Sequence, residues 1–307
     1  MLPILLQTLP FFAVIGLGWG AGRAGMFTEA ATGALTRFVF YFALSAMLFG
    51  FASSLSFAEL WQGGLAAAYL AGSVAVWALA FAVARARRQG LGEAAMEAQA
   101  SIIGNVGFLG IPMLAVLLGP SSVPTVILVL AIDLIVFGSL VVMLVVASQG
   151  GGVGLALAGK LAAGLARNPM IVSMATGLAW GALGLPIPEP MGDTLTLLGA
   201  AATPGALFAI GASLAARSAE RIAVPVWLSL AKIVLHPLAV ALAATVLGVR
   251  GPAVGVMIAC AALPVAGNVF ILAEHYGVAK ARMSASILIS TALSVVTVTG
   301  VIALLLA

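Results

Sequence analysis

Two Gly-Asn pairs set in apolar surroundings are the residues best placed to do chemistry. The first opens the run Gly104-Asn105-Val-Gly107-Phe-Leu-Gly110-Ile-Pro112, and the second, Gly267-Asn268, closes the run Leu263-Pro264-Val-Ala-Gly267-Asn268. Glycine and proline weaken or interrupt a helix, and hydrocarbon cannot satisfy an asparagine amide. A helix broken at membrane depth frees backbone N–H and C=O groups, which are tolerated only beneath protein or beside a water-filled cavity. The N-terminus of a half-helix then offers unpaired N–H groups and about half a positive charge, which suits an anion. The competing reading is a small-residue packing face of Gly104, Gly107 and Gly110 between helices. That reading leaves Asn105 and Pro112 unexplained.

Three ionisable residues, Asp133, Lys232 and His236, fall deepest inside long apolar segments. Charges there are costly and usually functional. At 1.5 Å per residue, Asp133 lies ~12 Å from the outer end of its segment and Lys232 ~14 Å from the inner end of its own. Lys232 and His236 are four apart and share a helix face. An Asp133–Lys232 pair with His236 nearby is feasible, either as a proton-coupling relay or as a static buried pair locking two helices. Glu97, Glu274 and His275 fall near segment ends, where snorkelling to the interface is expected.

The elements that must position these groups are transmembrane helices. Of 307 residues 63% are hydrophobic and 7% charged, against about a quarter charged in soluble domains, and mean hydropathy is +1.24. Long continuous apolar runs exclude a barrel of alternating strands. The single Cys260 excludes an intrachain disulfide, and the net charge of +4 reflects loops, with no nucleic-acid surface implied. No basic region precedes the first apolar run, so no cleavable signal is expected. No metal-ligand spacing, Gly-x-Ser-x-Gly or phosphate loop occurs, and Asp133 is the one Asp inside a span, where an intramembrane aspartyl protease would need two. Neither an enzyme nor a cofactor is expected.

Ten spans are expected, at 3–22, 33–52, 62–84, 95–118, 125–148, 169–187, 194–215, 223–247, 253–276 and 284–306. With the N-terminus outside, eleven of the thirteen basic residues become cytoplasmic: Arg23, Arg37, Arg85, Arg87, Arg88, Lys160, Arg167, Arg217, Arg221, Lys280 and Arg282. Both termini are then outside. Gly16-Leu-Gly-Trp19 recurs as Gly177-Leu-Ala-Trp180, and Gly104-Asn-Val as Gly267-Asn-Val, at nearly equal offsets. Residues 1–148 and 169–307 therefore read as two five-helix repeats, joined by a cytoplasmic linker at 149–168 with a short amphipathic helix. Five is odd, so the second repeat enters the membrane inverted, with interrupted fourth and ninth helices in matching places.

The run Asn105-Val-Gly-Phe-Leu-Gly-Ile-Pro112 resembles the Asn-x-Gly-Phe-x-Gly-x-Pro signature of the auxin efflux carrier family, which includes bacterial malonate and malate permeases and plant PIN-type carriers. Leu263-Pro264 through Asn268, continuing to Ala273-Glu-His-Tyr276-Gly277, resembles that family's ninth span. The resemblance implies a scaffold, formed by spans one, two, six and seven, and a mobile domain in which the broken helices cross and their amides bind a carboxylate. Asn105 and Asn268 would then touch substrate. Pro112 follows its Asn by seven residues whereas Pro264 precedes its Asn by four, so the prolines are not simple equivalents.

These readings converge on a secondary transporter of the bacterial inner membrane for a small organic anion, an auxin-like or malonate/malate-like mono- or dicarboxylate, working by an elevator movement. Proton or sodium coupling and a homodimer through Gly/Ala-rich faces are compatible with it. An anion channel or membrane sensor on the same fold is the alternative, although no connection is long enough for a soluble output segment.

Overall fold

The computed structural model describes residues 2–55, 62–150, 154–215 and 222–306. Arg217 and Arg221 of the basic set lie outside the described residues, as do 151–153 of the Gly-rich connection. The fold is all-helical, with one isolated backbone bridge and no strand among the described residues.

The helices, in chain order, are α1 (Leu2–Arg23), α2 (Glu29–Ser53), α3 (Gly63–Ala86), α4 (Leu91–Ala100), α5 (Val106–Leu117), α6 (Pro120–Ser148), α7 (Leu155–Ala166), α8 (Pro169–Ala182), α9 (Glu189–Ala215), α10 (Ala223–Val246), α11 (Pro252–Ala262), α12 (Gly267–Tyr276) and α13 (Lys280–Leu306). Six of them, α2, α3, α6, α9, α10 and α13, are long and apolar enough to cross a bilayer. Expected spans four and nine instead fall on pairs of short helices, α4–α5 and α11–α12. Outward faces are apolar: Leu238, Leu242 and Val246 recur every four residues along α10 and are exposed, as a lipid-facing stripe requires.

Packing sorts the helices into two groups. In the first, α1 lies along α9 and α8 along the second half of α2. Glycine permits both approaches: a Cβ on Gly211 would collide with the Ile15 carbonyl, and one on Gly177 would stand 2.7 Å from the Phe49 carbonyl. In the second, α3 packs on α4 and α10, α4 on α6, and α10 on α11 and α13. Gly72 sets the α3–α10 distance, since a Cβ there would stand 2.6 Å from Val240 Cα. These are the helices that carry Asp133, Lys232 and His236.

Two helices contain single π-helical turns with a proline just after them. In α5 the turn Val106–Gly110 is followed by Pro112, and in α10 the turn Ala231–Leu235 is followed by Pro237. Proline lacks an N–H and its ring crowds the carbonyl four residues earlier, so the preceding turn widens. Two further π turns, Val39–Ala43 in α2 and Asp133–Phe137 starting at the buried aspartate of α6, have no proline after them. Pro112 thus widens α5 without breaking it, because the interruption lies earlier, at 101–105.

Candidate functional site

The two interrupted segments meet. The Asn105 N–H donates to the Pro264 carbonyl at 2.8 Å, the Ala266 N–H donates to the Ile103 carbonyl at 3.0 Å, and Gly104 pairs with Val265 in antiparallel fashion. The Val265 N–H is taken by Ser290 Oγ of α13 at 3.0 Å. Backbone groups freed by unwinding are therefore partly satisfied by the other interruption, as burial demands. The Asn105 carbonyl accepts from the Leu109 and Gly110 N–H groups at 3.0 and 2.9 Å, starting α5. Helix α12 starts at Gly267 with no side-chain cap. The Val106 N–H, first in α5, turns back to the Gly104 carbonyl at 2.8 Å, and the Val269 N–H of α12 to the Ala266 carbonyl at 3.2 Å; no preceding helical turn covers the other first N–H groups.

A cavity of about 1570 Å³ opens over this meeting point. Gly104, Asn105, Gly107, Gly267, Asn268 and Asp133 line it, with α2 and α9 across from them. Asn105 is buried while Asn268 is exposed to the cavity, and among the described residues neither side-chain amide has a hydrogen-bond partner. Phe108 stacks on Phe40 of α2, ring centroids 6.1 Å apart and nearly parallel, which brings the two helix groups together beside Asn105. Arg37, Lys160 and Lys280 also line the cavity, together with Glu29, Glu274 and His275.

Five expected site residues stand back from the cavity. Gly110 packs beneath Leu263, where a Cβ would meet Leu263 Cδ1 at 2.7 Å. Pro112 is buried in the first turn of regular helix in α5, and Pro264 contributes its carbonyl to the backbone pairing. Lys232 and His236, both fully buried, lie behind the interruptions and do not line the cavity. Asp133 does line it, yet no direct Asp133–Lys232 ion pair forms among the described residues. Asp133 Oδ1 accepts from the Tyr69 hydroxyl at 2.9 Å, while Oδ2 has no partner. Lys232 Nζ donates to the Ala261 carbonyl and lies 3.2 Å from His236 Nδ1; His236 Nε2 lies 2.9 Å from Ser73 Oγ.

Sequence reasoning missed four groups. Tyr69 and Ser73 of α3, four apart, present hydroxyls to Asp133 and His236. Gln99, at the end of α4, lines the cavity almost wholly buried with its Oε1 unpartnered. Its signal was available: a polar amide two residues before the first interruption, inside an apolar span. Glu97 is the fourth and corrects an expectation. It does not snorkel; its side chain is fully buried and receives both Arg87 and Arg282, with Arg282 reaching Glu93 at 2.8 Å as well. Two guanidinium groups repay the desolvation of one carboxylate, and they tie α3, α4 and α13 together.

The comparison with known proteins decides the family. A family profile described as "Membrane transport protein" matches residues 3–302. The chain belongs to that family, the auxin efflux carriers. A Rhizobium meliloti (strain 1021) protein, provisionally described as a malonate transporter, is 34% identical over 304 residues, covering 97% of this chain and 94% of that one. Membership of the auxin efflux carrier family and this relative point to a transporter and not to an enzyme.

Proposed function

We propose that the protein carries a small organic anion of the mono- or dicarboxylate class across the bacterial inner membrane, by alternating access. The observation that carries this reading is that two asparagines and two half-helix N-termini, one of each from either half of the chain, share one wall of an open cavity. N–H donors and helix dipoles aimed at one point suit a carboxylate, and glycines let it approach the backbone. The similarity to a malonate transporter, extending over nearly both whole chains, favours a malonate- or malate-like substrate.

In this reading the helices form two inverted five-helix repeats, with α4–α5 and α11–α12 as broken helices crossing at the site. The group containing α1, α2, α8 and α9 is the scaffold, and the other group slides against it as an elevator. The packing division described above supports that assignment. Lys160 and Lys280 line the cavity, and in this reading, with the basic residues cytoplasmic, it opens to the cytoplasm. Uptake into proteoliposomes across a panel of labelled carboxylates tests the function: saturable uptake and counterflow of a dicarboxylate are expected. Unsaturable currents would make the protein a channel.

Orientation has its own test. Lys160 is exposed on α7 and Cys260 is buried. In a Cys260→Ala background, Lys160→Cys is expected to react with a membrane-impermeant maleimide in inside-out vesicles only. Labelling in intact cells would reverse the topology and, with it, the side to which the cavity opens.

A further inference from the structure

Carriers built on broken helices use both kinds of half-helix end. N-termini face anionic groups, while C-terminal carbonyls and unwound backbone hold the coupling cation. Here the carbonyl end of α11 is already taken. The Lys232 ammonium donates to the Ala261 carbonyl, one of the last carbonyls of that half-helix and so without a partner in the helix itself. The lysine head also lies against the other interruption: a Cβ on Gly104 would stand 3.3 Å from both Nζ and Cε, and 3.1 Å from the Cys260 carbonyl. We propose that Lys232 is a tethered cation, occupying the seat that a coupling sodium ion would otherwise take, so that transport needs no sodium.

The surrounding donors and acceptors are those of a cation seat. An ammonium only donates, so His236 Nδ1, 3.2 Å away, accepts from Lys232. The imidazole proton then sits on Nε2 and goes to Ser73 Oγ at 2.9 Å. Asp133 makes no ion pair with Lys232 among the described residues, its Oδ1 accepting from Tyr69 instead. A carbonyl and an imidazole nitrogen hold the lysine charge, which is fully buried and does not line the cavity. Lys232 therefore holds the interruption from behind and does not touch substrate, as a bound ion would. Lys232 and His236, four apart, share one face of α10 at its π turn.

The consequence for transport rests on the carrier reading, but the seat itself can be tested without substrate. Purified wild type and Lys232→Ala are melted in equal concentrations of sodium, methylammonium and choline chloride. Wild type is expected to melt at one temperature in all three. Lys232→Ala is expected to melt several degrees higher in methylammonium or sodium than in choline, because a small cation re-enters the vacated seat and binds only the folded state. A wild type stabilised by sodium over choline would reveal a separate sodium site and overturn the proposal. A Lys232→Ala protein indifferent to all three salts would overturn it equally, leaving a lysine that merely packs. If Lys232→Ala cannot be recovered, Lys232→Met decides. Methionine fills the space without charge, so wild-type uptake by that variant sinks the proposal, and loss of uptake by a folded variant supports it. Failure of every carboxylate in the uptake panel would strike the carrier reading alone.

Discussion

Asn268→Asp is expected to weaken substrate binding by at least tenfold while leaving the fold intact. Asn268 is exposed to the cavity at the start of α12, so a carboxylate there stays solvated and costs little stability. The change is nearly isosteric, but it replaces an N–H donor by a negative charge facing an anion. Losing a hydrogen bond to a charged group costs about 1.5–3 kcal/mol, and like-charge repulsion adds to it, while about 1.4 kcal/mol is one decade of affinity. Asn105→Asp is expected to be more severe, since Asn105 is only 7% exposed and a charge there must also be desolvated. The alanine variants should be milder in affinity, because water can stand in for a lost donor in an open site. A purely structural role predicts another order, with Asn105→Ala destabilising and dissociation constants untouched. Dissociation constants of the purified single variants decide, and wild-type affinity in both Asp variants would remove the site.

What the sequence exposed and what it concealed divide along a physical line. Apolar runs of bilayer length are one-dimensional, and so is a Gly-Asn pair interrupting one, so the helical class was legible, and both Gly-Asn pairs do line one cavity. The repeat of Gly104-Asn-Val at Gly267-Asn-Val pointed to two interruptions in related places, and these do exchange backbone hydrogen bonds. Azimuth was not legible. Depth arithmetic put Asp133 and Lys232 at similar heights, but the lysine turns behind the interruption to Ala261 and the aspartate turns to Tyr69. Nor could spacing tell that Pro112 and Pro237 each widen a turn where the glycines beside Pro112 suggested a break. Glu97 lay near a span end, where snorkelling is the ordinary outcome, and only the fold brings Arg87 and Arg282 to it from other helices. Gly110 shows the same limit: its place in a glycine triplet suggested approach to a ligand, and its actual neighbour is Leu263.

Asp133→Asn is expected to abolish accumulation driven by a pH gradient while preserving exchange of substrate at zero gradient. Asp133 lines the cavity with one oxygen held by Tyr69 and the other unpartnered. A carboxylate facing an anion cavity repels the substrate unless a proton neutralises it when substrate binds, and that requirement would couple the two. With one proton carried per substrate anion and no membrane potential, each unit of pH difference is worth about 1.4 kcal/mol and sustains a tenfold substrate gradient. Asparagine mimics the protonated acid: its carbonyl oxygen still accepts from Tyr69, and its amide takes the place of the acid O–H. The variant should therefore bind and exchange substrate, yet gather no more than the external concentration when one pH unit is imposed. Loss of folded protein in Asp133→Asn would instead mark the carboxylate as the fixed countercharge of Lys232, which removal of one partner destabilises. A well-folded variant that still accumulates substrate tenfold would place the coupling elsewhere. Measuring accumulation and exchange on one proteoliposome preparation separates the three results, because exchange reports the site and accumulation reports the proton.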